Sequence, residues 1–277
     1  MFAGDDGSAE LNGLTIGAGT PYRWRAWPTG LGVPEIRSAD TVRARRDGVT
    51  PGDDYLGART IVFEIDVEGT IAEQEALLTD LSAAFAPGPT TTLQLRWGGN
   101  PDEYVLHGRP RGCEWMLSRR STVGLGDARC VFLATDPIKY GGEQTVRSTL
   151  AGSVVPLTLP FTLPATFGTK SGNDVTVANT GSTPVDWTAT IVGPVTTPRL
   201  RCLTTGKHLQ FDLDLGSGEE LTLDSSAAFA AVDDVAALGA LLFCSSWGKA
   251  PVGNSTWRLD AGAGTGYADI TYRPGWL

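Results

Sequence analysis

Apolar residues recur at every second position in short runs along this chain, and Gly and Pro separate one run from the next. The clearest run covers residues 59–67, where Ile61, Phe63, Ile65 and Val67 fall on one face of an extended segment. A period of two is the spacing of a β-strand that buries one face. Because the pattern returns along most of the chain, the sequence predicts a mainly β protein.

One segment departs from the period of two. Thr70 and Glu73 have the spacing of a capping box, which marks the start of a helix. The apolar residues that follow form a stripe at helical spacing: Ile71, Leu77, Leu78, Leu81 and Phe85. The sequence therefore predicts one clear helix over residues 71–85.

Alternation resumes after the helix. Residues 90–98, 103–109 and 128–135 read as strands, with Gly, Pro and Asn clusters between them as hairpins require. The first half of the chain is therefore predicted to be a β-sandwich or small barrel with one helix packed on it.

A length of 277 residues is comfortable for two domains. Residues 136–172 are rich in Pro, Gly, Ser and Thr, and repeated Pro permits only edge strands or extended connectors there. We place the boundary near residue 145, which gives domains over residues 1–145 and 146–277. The second half shows short strands at the intervals of an all-β sandwich, and only the Ala-rich residues 226–240 could be helical instead.

The charge distribution argues against a nucleic-acid clamp. The net charge is -9, with 20 acidic and 14 basic residues before position 146 and 11 acidic and 8 basic residues after it. A clamp needs a basic stripe that neutralises phosphates, and neither half supplies one. An acidic surface can still face DNA that slides past without binding.

Four cysteines, Cys113, Cys130, Cys202 and Cys244, lie far apart without a C-x-x-C pair. This spacing gives no zinc site and favours buried free thiols over a disulfide. The N-terminus carries acids where a secretory signal carries bases, and no apolar run is long enough to span a membrane. The sequence therefore predicts a protein that is made and kept in the cytoplasm.

The search for chemistry yields no catalytic residue, metal ligand or cofactor site. Residues 248–255 have the glycines and final Ser of a phosphate loop, but Asn254 replaces the essential Lys and a strand follows, which indicates a plain loop. A hydrolytic triad would have to use His107 or His208. Asp212 and Asp214 share one face of a strand and read as a solvated outer face.

The chain has an excess of Trp, with eight residues. Trp187 and Trp257 alternate with apolar neighbours and are predicted to lie in the core. Trp24, Trp27 and Trp276 stand among Arg and Pro and are better candidates for contact surfaces.

Four stretches, taken together, resemble the distal tail protein (Dit) family of phages with long non-contractile tails, a group that includes minor tail proteins. The first two are residues 57–61 and 132–141. The third is 177–184 with 191–194, 198 and 221–224, and the fourth is 257–262 with 268–276. Asn179 and Gly181 are expected to supply positive φ in a turn, and Pro184 and Pro194 to stiffen bends. The positions that carry the resemblance are Arg59, Asp136, Pro137, Tyr140, Asn179, Gly181, Pro184, Gly193, Pro194, Asp224 and Trp276.

The resemblance implies two β-sandwich domains, the first like a tail-tube protein with one flanking helix and the second galectin-like and peripheral. It also implies a structural virion protein without enzyme activity. Such a protein forms a hexameric ring that joins the tail tube to the tail tip or baseplate. The implied partners are further copies of the chain, the tail-tube protein, a tail-tip hub protein and a receptor-binding protein.

The resemblance further implies a location at the virion tail tip, after assembly in the cytoplasm of the bacterial host. DNA would pass through the ring without specific binding, and the protein would not insert into a membrane. No cofactor is implied.

Two other functions remain open from the residues alone. The second half could be a carbohydrate-binding module that recognises host surface glycan, with His208, Asn254 and Trp257 as candidate contacts. A glycosidase acting on the cell wall would need an acid such as Asp214.

Overall fold

A computed structural model describes residues 7–96, 103–116, 119–150 and 174–277. The described chain divides into two compact units. The first ends at Gly142 and also includes Trp276 and Leu277, and the second is Glu143–Gly275. Strands dominate both units, so the predicted mainly β class is confirmed.

The first unit contains one α-helix, a short 3-10 helix and twelve described strands. The helices are α1 (Gln74–Ala84) and the 3-10 turn Arg119–Val123. The strands are β1 (Ser8–Leu11), β2 (Leu14–Gly17), β3 (Tyr22–Thr29), β4 (Ile36–Ser38), β5 (Thr41–Val42), β6 (Val49–Thr50), β7 (Asp54–Leu56), β8 (Arg59–Glu68), β9 (Thr91–Arg96), β10 (Glu103–Met116), β11 (Leu125–Ala134) and β12 (Lys139–Tyr140).

The main sheet of the first unit has the order β2-β1-β9-β10-β11-β8-β3, with β12 paired to β10. Every described pair of strands in this unit is antiparallel, and the buried face of the sheet holds the core. The predicted strand over residues 59–67 is confirmed, since Ile61, Phe63, Ile65 and Val67 are all buried in β8. Alternation along one strand therefore located the core face correctly.

Helix α1 lies on the buried face of this sheet. Leu78, Leu81 and Phe85 are buried, and the Phe85 ring meets the Phe63 ring edge to face at 5.5 Å. The helix begins at Gln74, three residues later than predicted, because residues 71–73 form a turn. Ile71 is 68% exposed, so its predicted place in the apolar stripe is wrong.

Thr70 and Glu73 form only one of the two side-chain to backbone hydrogen bonds expected of a capping box. The Glu73 carboxylate accepts hydrogen bonds from the Thr70 amide at 3.0 Å and from the Thr70 hydroxyl at 2.8 Å. These bonds lower the pKa of Glu73 below its ordinary value. Because the Thr70 hydroxyl donates to Glu73, this pair holds the turn that precedes the helix.

The other strands of the first unit differ from the prediction in length. The strand predicted over 90–98 is Thr91–Arg96, and its last two residues lie outside the described residues. Strands β10 and β11 are longer than the predicted 103–109 and 128–135, because they pair along Gly108–Met116 past a bulge at Arg111. Pairing with a neighbouring strand can continue past a bulge, so a strand can extend beyond the segment in which apolar and polar residues alternate.

A long exposed hairpin leaves the sheet between β3 and β8. It consists of two short ladders, β4 with β7 and β5 with β6, and a turn at Asp47-Gly48 where Gly48 has a φ of 88°. Every residue from 35 to 55 is exposed. We call residues 35–55 the arm.

The second unit consists of three sheets and a 3-10 turn, Leu238–Ala240. Its strands are β13 (Gln144–Thr149), β14 (Val175–Asn179), β15 (Trp187–Val192), β16 (Val195–Thr196), β17 (Arg199–Cys202), β18 (His208–Gln210), β19 (Asp214–Leu215), β20 (Glu220–Asp224), β21 (Phe229–Val232), β22 (Val235–Ala236), β23 (Gly253–Asp260), β24 (Ala263–Gly264) and β25 (Tyr267–Tyr272). The last described strand, β26 (Gly275–Trp276), pairs with β12 in the main sheet that contains β10.

Two of these sheets pack through their buried faces. One has the order β13-β25-β15-β20-β21-β22, the other β14-β23-β17-β18, and a small third sheet has the order β19-β16-β24. The rings of Trp187 on β15 and Trp257 on β23 meet edge to face at 5.0 Å, and both side chains are buried as predicted. Alternating inward residues on both sheets therefore form a sandwich core.

The Ala-rich residues 226–240 form a hairpin over 229–236 followed by the 3-10 turn Leu238–Ala240, so the prediction of an α-helix there is wrong. Strands β21 and β22 pair through Ala231 and Val232, and the turn between them uses Asp233 and Asp234 with φ of 43° and 68°. Asp tolerates this left-handed conformation better than most residues, and its short polar side chain suits a turn. Two adjacent Asp residues therefore outweigh the helix propensity of the Ala residues around them.

The cysteine prediction needs correction. Cys113 and Cys130 form a disulfide, because the register of β10 against β11 places them directly opposite each other with Cα atoms 4.0 Å apart. Cys202 is a buried free thiol as predicted, whereas the free thiol of Cys244 is exposed. The two cysteines are 17 residues apart in the sequence, and this separation alone did not indicate a disulfide.

Strand β13 lies at the domain boundary predicted near residue 145. It spans Gln144–Thr149 and pairs along its whole length with β25 of the second unit. The division after Gly142 falls just before this strand, so a cut at 146 would sever it. Of the Pro-rich connector predicted over residues 136–172, the part from 151 onwards lies outside the described residues.

Candidate functional site

The positions that carried the family resemblance fall into a cluster in the first unit, a cluster in the second, and separate turns. Arg59 is the centre of the first cluster and is only 2% exposed. Its Nε and Nη2 donate to the Pro137 carbonyl at 3.2 and 2.9 Å, and Nη1 donates to the carbonyls of Gly30, at 3.1 Å, and Gly32. Burial lowers the pKa of the guanidinium from its ordinary value.

The turn that presents Pro137 to Arg59 is held by Asp136. One carboxylate oxygen of Asp136 accepts from the Ile138 amide at 3.0 Å, and the other accepts from the Tyr140 hydroxyl at 2.7 Å. The structure thus brings together Arg59, Asp136, Pro137 and Tyr140, four positions that the sequence could only name separately.

Lys139 adds a second cation to the first cluster. Its ammonium donates to the Leu31 carbonyl at 3.0 Å, and burial, with a smaller contribution from Arg59, lowers the pKa of Lys139. Arg59 and Lys139 together bind the carbonyls of residues 30–32, which lead into the arm. The first cluster therefore anchors the root of the arm to the turn after β11.

Asn179 is the centre of the second cluster and is fully buried. Its side-chain amide donates to the Thr183 carbonyl at 2.8 Å and to the Ala250 carbonyl at 3.5 Å. Its side-chain oxygen accepts from the Gly181 amide at 3.1 Å and the Gly275 amide at 3.4 Å. One side chain thus satisfies four backbone groups from three segments.

Gly181 is required for close approach and not for its backbone angle. Neither Asn179 nor Gly181 has a positive φ, so the expectation that they supply one is wrong. A Cβ on Gly181 would lie 1.9 Å from the Gly275 carbonyl oxygen. The C-terminal segment therefore passes too near residue 181 for any side chain to fit.

The remaining family positions lie at separate turns. Gly193 and Pro194 are joined by a cis peptide bond, and a Cβ on Gly193 would lie 2.0 Å from the Gly216 carbonyl oxygen. Pro184 is exposed between two single β-bridges, at Thr183 and Val185. These residues shape loops of the second unit.

Asp224 and Trp276 are the last two of these positions. The Asp224 carboxylate accepts from the Ser226 hydroxyl at 2.7 Å and the Ser226 amide at 2.8 Å. The hydroxyl bond is the main reason that the pKa of Asp224 lies below its ordinary value. Trp276, in the first unit, meets the Tyr104 ring edge to face at 5.3 Å.

The Trp residues expected at contact surfaces do not all lie there. Trp24 stacks on Phe63 at 5.9 Å and packs against the core, and Trp276 packs on Tyr104. Trp27 is 41% exposed and keeps the predicted character.

The candidate glycan residues are divided between two faces of one sheet. Asn254 and His208 are on the open face of the β14-β23-β17-β18 sheet, whereas Trp257 alternates to the buried face and is 3% exposed. A shallow platform that includes Trp257 is therefore excluded. Trp257 is buried because it alternates with the exposed residues of β23, so its side chain lies on the opposite face of the sheet.

The acids and the candidate phosphate loop show no catalytic arrangement. Asp212 and Asp214 are exposed beside the buried Phe211 and Leu215, as predicted for a solvated face. Ser255, the last residue of the candidate phosphate loop, is buried in β23 and donates to the Val177 carbonyl at 3.3 Å.

Within 7–96, 103–116, 119–150 and 174–277, no three His, Cys, Asp or Glu side chains are grouped so that they could hold a metal ion. None of the helices in these ranges is long and apolar enough to cross a membrane.

The arm and the partners of Arg59 and Asn179 were not predicted from the sequence. The arm carries one recognisable signal, the Asp47-Gly48 pair, which is typical of a hairpin turn. No sequence signature marks the other residues of the two clusters, because they act through backbone or side-chain contacts. These residues are Lys139, Thr183 and Gly275.

Comparison with known proteins gives two independent similarities. The family model of the siphovirus-type tail component, C-terminal domain (SPP1_Dit), matches residues 180–276. The structure is similar to the crystal structure of the SPP1 Dit protein (gp 19.1), described as a paradigm of the hub adsorption apparatus in phages that infect Gram-positive bacteria. That similarity has a TM-score of 0.71 at 16% identity and covers 98% of this chain and 99% of that chain.

A second solved structure shares the fold more distantly. It is a chain of the phage P2 baseplate in its activated conformation with Ca, with a TM-score of 0.52 at 10% identity over 96% of this chain and 97% of that one. No curated protein is significantly similar to the sequence. The resemblance to the siphophage distal tail protein family is thus confirmed: residues 180–276 match its C-terminal domain, and the described residues have a fold similar to that of SPP1 Dit.

Proposed function

We propose that this protein is a structural component of a siphophage virion at the distal end of the tail, and that it is not an enzyme. The observation that carries the proposal is the end-to-end correspondence with the SPP1 Dit fold, over 98% of this chain and 99% of that one. The family match over residues 180–276 supports the same role. The side chains of Arg59, Asp136 and Asn179 hold turns and segments together through hydrogen bonds, which suits a structural role.

In this role the protein forms a closed homo-oligomeric ring, expected to be a hexamer. The arm supports ring formation, because an isolated two-stranded hairpin is marginally stable in water. Its apolar side chains are nonetheless open to solvent: Ile36 is 54% exposed, Val42 78% and Tyr55 58%. A neighbouring copy of the chain is the proposed cover for them.

The ring joins the tail tube to the tail tip or baseplate. Its proposed partners are the tail-tube protein on one side and a tail-tip hub protein on the other, with a receptor-binding protein as a further candidate. The proposed location is the virion tail tip, after assembly in the cytoplasm of the host. Domain roles follow the same scheme, with the first unit forming the ring and the second serving as a peripheral galectin-like domain.

DNA passes through the proposed ring without specific binding. The open face of the main sheet in the first unit is the proposed lining of the channel. Among the described residues, acidic side chains pair with three arginines of this face, which reduces the positive charge that could hold phosphates. Its ion pairs are Arg23 with Glu68, Arg25 with Asp127, and Arg120 with both Asp66 and Asp127.

Ring formation is tested by light scattering and negative-stain imaging at micromolar concentration. We expect closed rings from the protein alone or after mixing with its tail-tube or tail-tip partner. The double variant Ile36→Asp with Val42→Asp should reduce ring formation at least about tenfold, because charges would have to be buried under the neighbouring copy.

The matched control is the double variant Val235→Asp with Val252→Asp in the second unit, where the two side chains are 70% and 49% exposed. It should form rings as the unchanged protein does. A strict monomer under every condition contradicts the ring, and equal loss in both double variants contradicts the role of the arm.

The absence of DNA affinity is a separate prediction. At physiological salt, rings mixed with duplex DNA should give no shift in an electrophoretic assay, because the paired acids compensate the arginines of the open face. The variant Asp66→Asn with Asp127→Asn removes the two carboxylate charges that pair with Arg120 and Arg25 and should introduce measurable, salt-sensitive binding. Tight binding of DNA by the unchanged ring would contradict the proposed lining.

A further inference from the structure

Strand β10 is paired differently on the two sides of its bulge. Before the bulge, residues 103–108 pair with β9, and residues 108–110 pair with β11. Beyond the bulge, residues 112–116 pair with β11, and no other described strand pair includes them. We call residues 112–116 the outer segment of β10. Among the described strands, the outer segment is therefore held by β11 alone.

The side chains at the end of the outer segment do not specify its register. Before the bulge, the buried Pro110 lies opposite the buried Phe132. Residues 114–116, in contrast, are all exposed. A buried face fixes the register of a strand, because a slip of one residue would turn its apolar side chains to solvent. Since residues 114–116 lack this constraint, another contact must fix which residues of β11 they face.

The disulfide between Cys113 and Cys130 is such a contact. The two residues are directly opposite each other in the second row after the bulge, with Cα atoms 4.0 Å apart. Cys130 is fully buried, and Cys113 is partly buried and packs against the core of the first unit. A slip of one residue would turn Cys113 to the face opposite Cys130, so the bond can form only in the observed register.

The compartment in which the chain is expected to be made does not favour this bond. Thiol reductants in the cytoplasm keep cysteines reduced, whereas disulfides persist in oxidising surroundings outside the cell. Under the proposed function, the chain is assembled in the cytoplasm of the host and later stands at the tail tip of a virion outside it. The same two cysteines therefore meet reducing conditions first and oxidising conditions afterwards.

We propose that Cys113 and Cys130 are thiols during assembly and form their disulfide after the virion leaves the host, which then fixes the register of the outer segment. The timing rests on the proposed function, whereas the effect of the bond on the outer segment does not. The oxidant is a low-molecular-weight disulfide, such as oxidised glutathione, in the surroundings of the virion.

The reaction proceeds in two thiol–disulfide exchanges. The thiolate of Cys113, the more exposed of the pair, attacks the small disulfide, forms a mixed disulfide and releases one small thiolate. The thiolate of Cys130 then attacks the Cys113 sulfur, forms the bond within the chain and releases the second small thiolate. The two protons lost by the cysteines are taken up by these leaving thiolates. The chain loses two electrons, and the small disulfide is reduced to two thiols.

Counting thiols tests the timing. The chain is produced in a bacterial cytoplasm with Cys244→Ser, which removes the exposed thiol that could link two molecules. Cells are quenched directly in acid, and the cysteines are alkylated in denaturant and identified by mass spectrometry. A second sample is folded protein incubated with oxidised glutathione before the quench.

We expect three alkylated cysteines in the quenched cells and one, Cys202, after oxidation, together with a cross-linked peptide that joins Cys113 to Cys130. A Cys113–Cys130 bond already present in the quenched cells would overturn the proposed timing. Failure of oxidised glutathione to produce the cross-linked peptide would overturn the reaction.

Hydrogen exchange tests what the bond does. Amides of the outer segment that pair with β11 should exchange about tenfold or more slowly in the oxidised chain than in the reduced chain, because the bond limits local opening of β10. Amides of β15 and β20 in the second unit should exchange equally in both forms. Equal exchange of the outer segment in the two forms would overturn its dependence on the disulfide.

Cys113→Ser separates the effect of the bond from other effects of the oxidant. Serine keeps a small side chain but cannot form the bond, so exchange in this variant should match that of the reduced chain with or without oxidant. Protection of the variant by the oxidant would overturn the assignment to Cys113 and Cys130. If the variant fails to fold, the oxidised and reduced forms of the chain with both cysteines still decide the question.

Ring formation is measured separately on the oxidised and the reduced chain. A chain that oxidises as expected but forms no ring contradicts the proposed function and leaves the disulfide result intact. A chain that forms rings but shows no change in exchange on oxidation contradicts the inference alone.

Discussion

Replacing Arg59 with Met should destabilise the first unit by about 3 kcal/mol, one of the largest effects expected from a single substitution in this chain. Met keeps an unbranched apolar side chain in the buried space but removes every donor. The carbonyls of Gly30, Gly32 and Pro137 would lose their charged partner. Urea denaturation, with hydrogen exchange of the β8 amides to localise the effect, measures the loss.

The matched control for this substitution is Arg23→Met in the neighbouring strand β3. Arg23 is 45% exposed and pairs with Glu68 at 3.4 Å, so its loss should cost about 0.5 kcal/mol or less. If the two variants are equally stable, Arg59 is not the anchor described above.

The Arg59 variant should also affect the arm. Arg59 and Lys139 bind the carbonyls of residues 30–32, from which the arm departs. Hydrogen exchange in residues 30–56 should therefore accelerate in Arg59→Met under conditions where the rest of the first unit stays folded. If exchange in residues 30–56 is unchanged, Arg59 stabilises β8 but does not hold the arm in position.

Replacing Asn179 with Ala should destabilise the second unit by about 3 kcal/mol, because it leaves several buried backbone groups without partners. The Thr183 carbonyl and the Gly181 amide lose their bonds of 2.8 and 3.1 Å, and the Gly275 amide loses a longer one. Thermal and urea denaturation of the full chain, with hydrogen exchange to localise the unfolding unit, measure the change.

Asn254→Ala is the matched control, since Asn254 has the same side chain and lies opposite Ala178 on the adjacent strand but is exposed. Its cost should be within about 0.5 kcal/mol. Gly181→Ala provides an independent check, because its Cβ would lie 1.9 Å from the Gly275 carbonyl oxygen. A stable Gly181→Ala protein would contradict the close approach of the C-terminal segment.

The two clusters have a common design in which one buried side chain holds segments far apart in the sequence. Arg59 reaches Pro137 across 78 positions, and Asn179 reaches Gly275 across 96. Neither cluster encloses a reactive group. Their chemistry is that of hydrogen-bonded anchors, which agrees with the structural role proposed for the protein.

Local sequence determined the features that depend on spacing along one element. The period of two over residues 59–67 located the buried face of β8, and the same alternation placed Trp187 and Trp257 in the core. The apolar stripe located α1 to within a few residues. These predictions succeed because a strand or helix imposes its own period on its side chains, whatever it packs against.

Other features were decided only by tertiary structure. The disulfide between Cys113 and Cys130 depends on strand register, and the exposure of Ile71 depends on where α1 begins. The partners of Arg59 and the backbone that excludes a side chain at Gly181 come from distant segments. A sequence names the residues that can form such contacts, but which of them meet is determined by the pairing of strands across long loops, because that pairing brings distant backbone groups together and buries them.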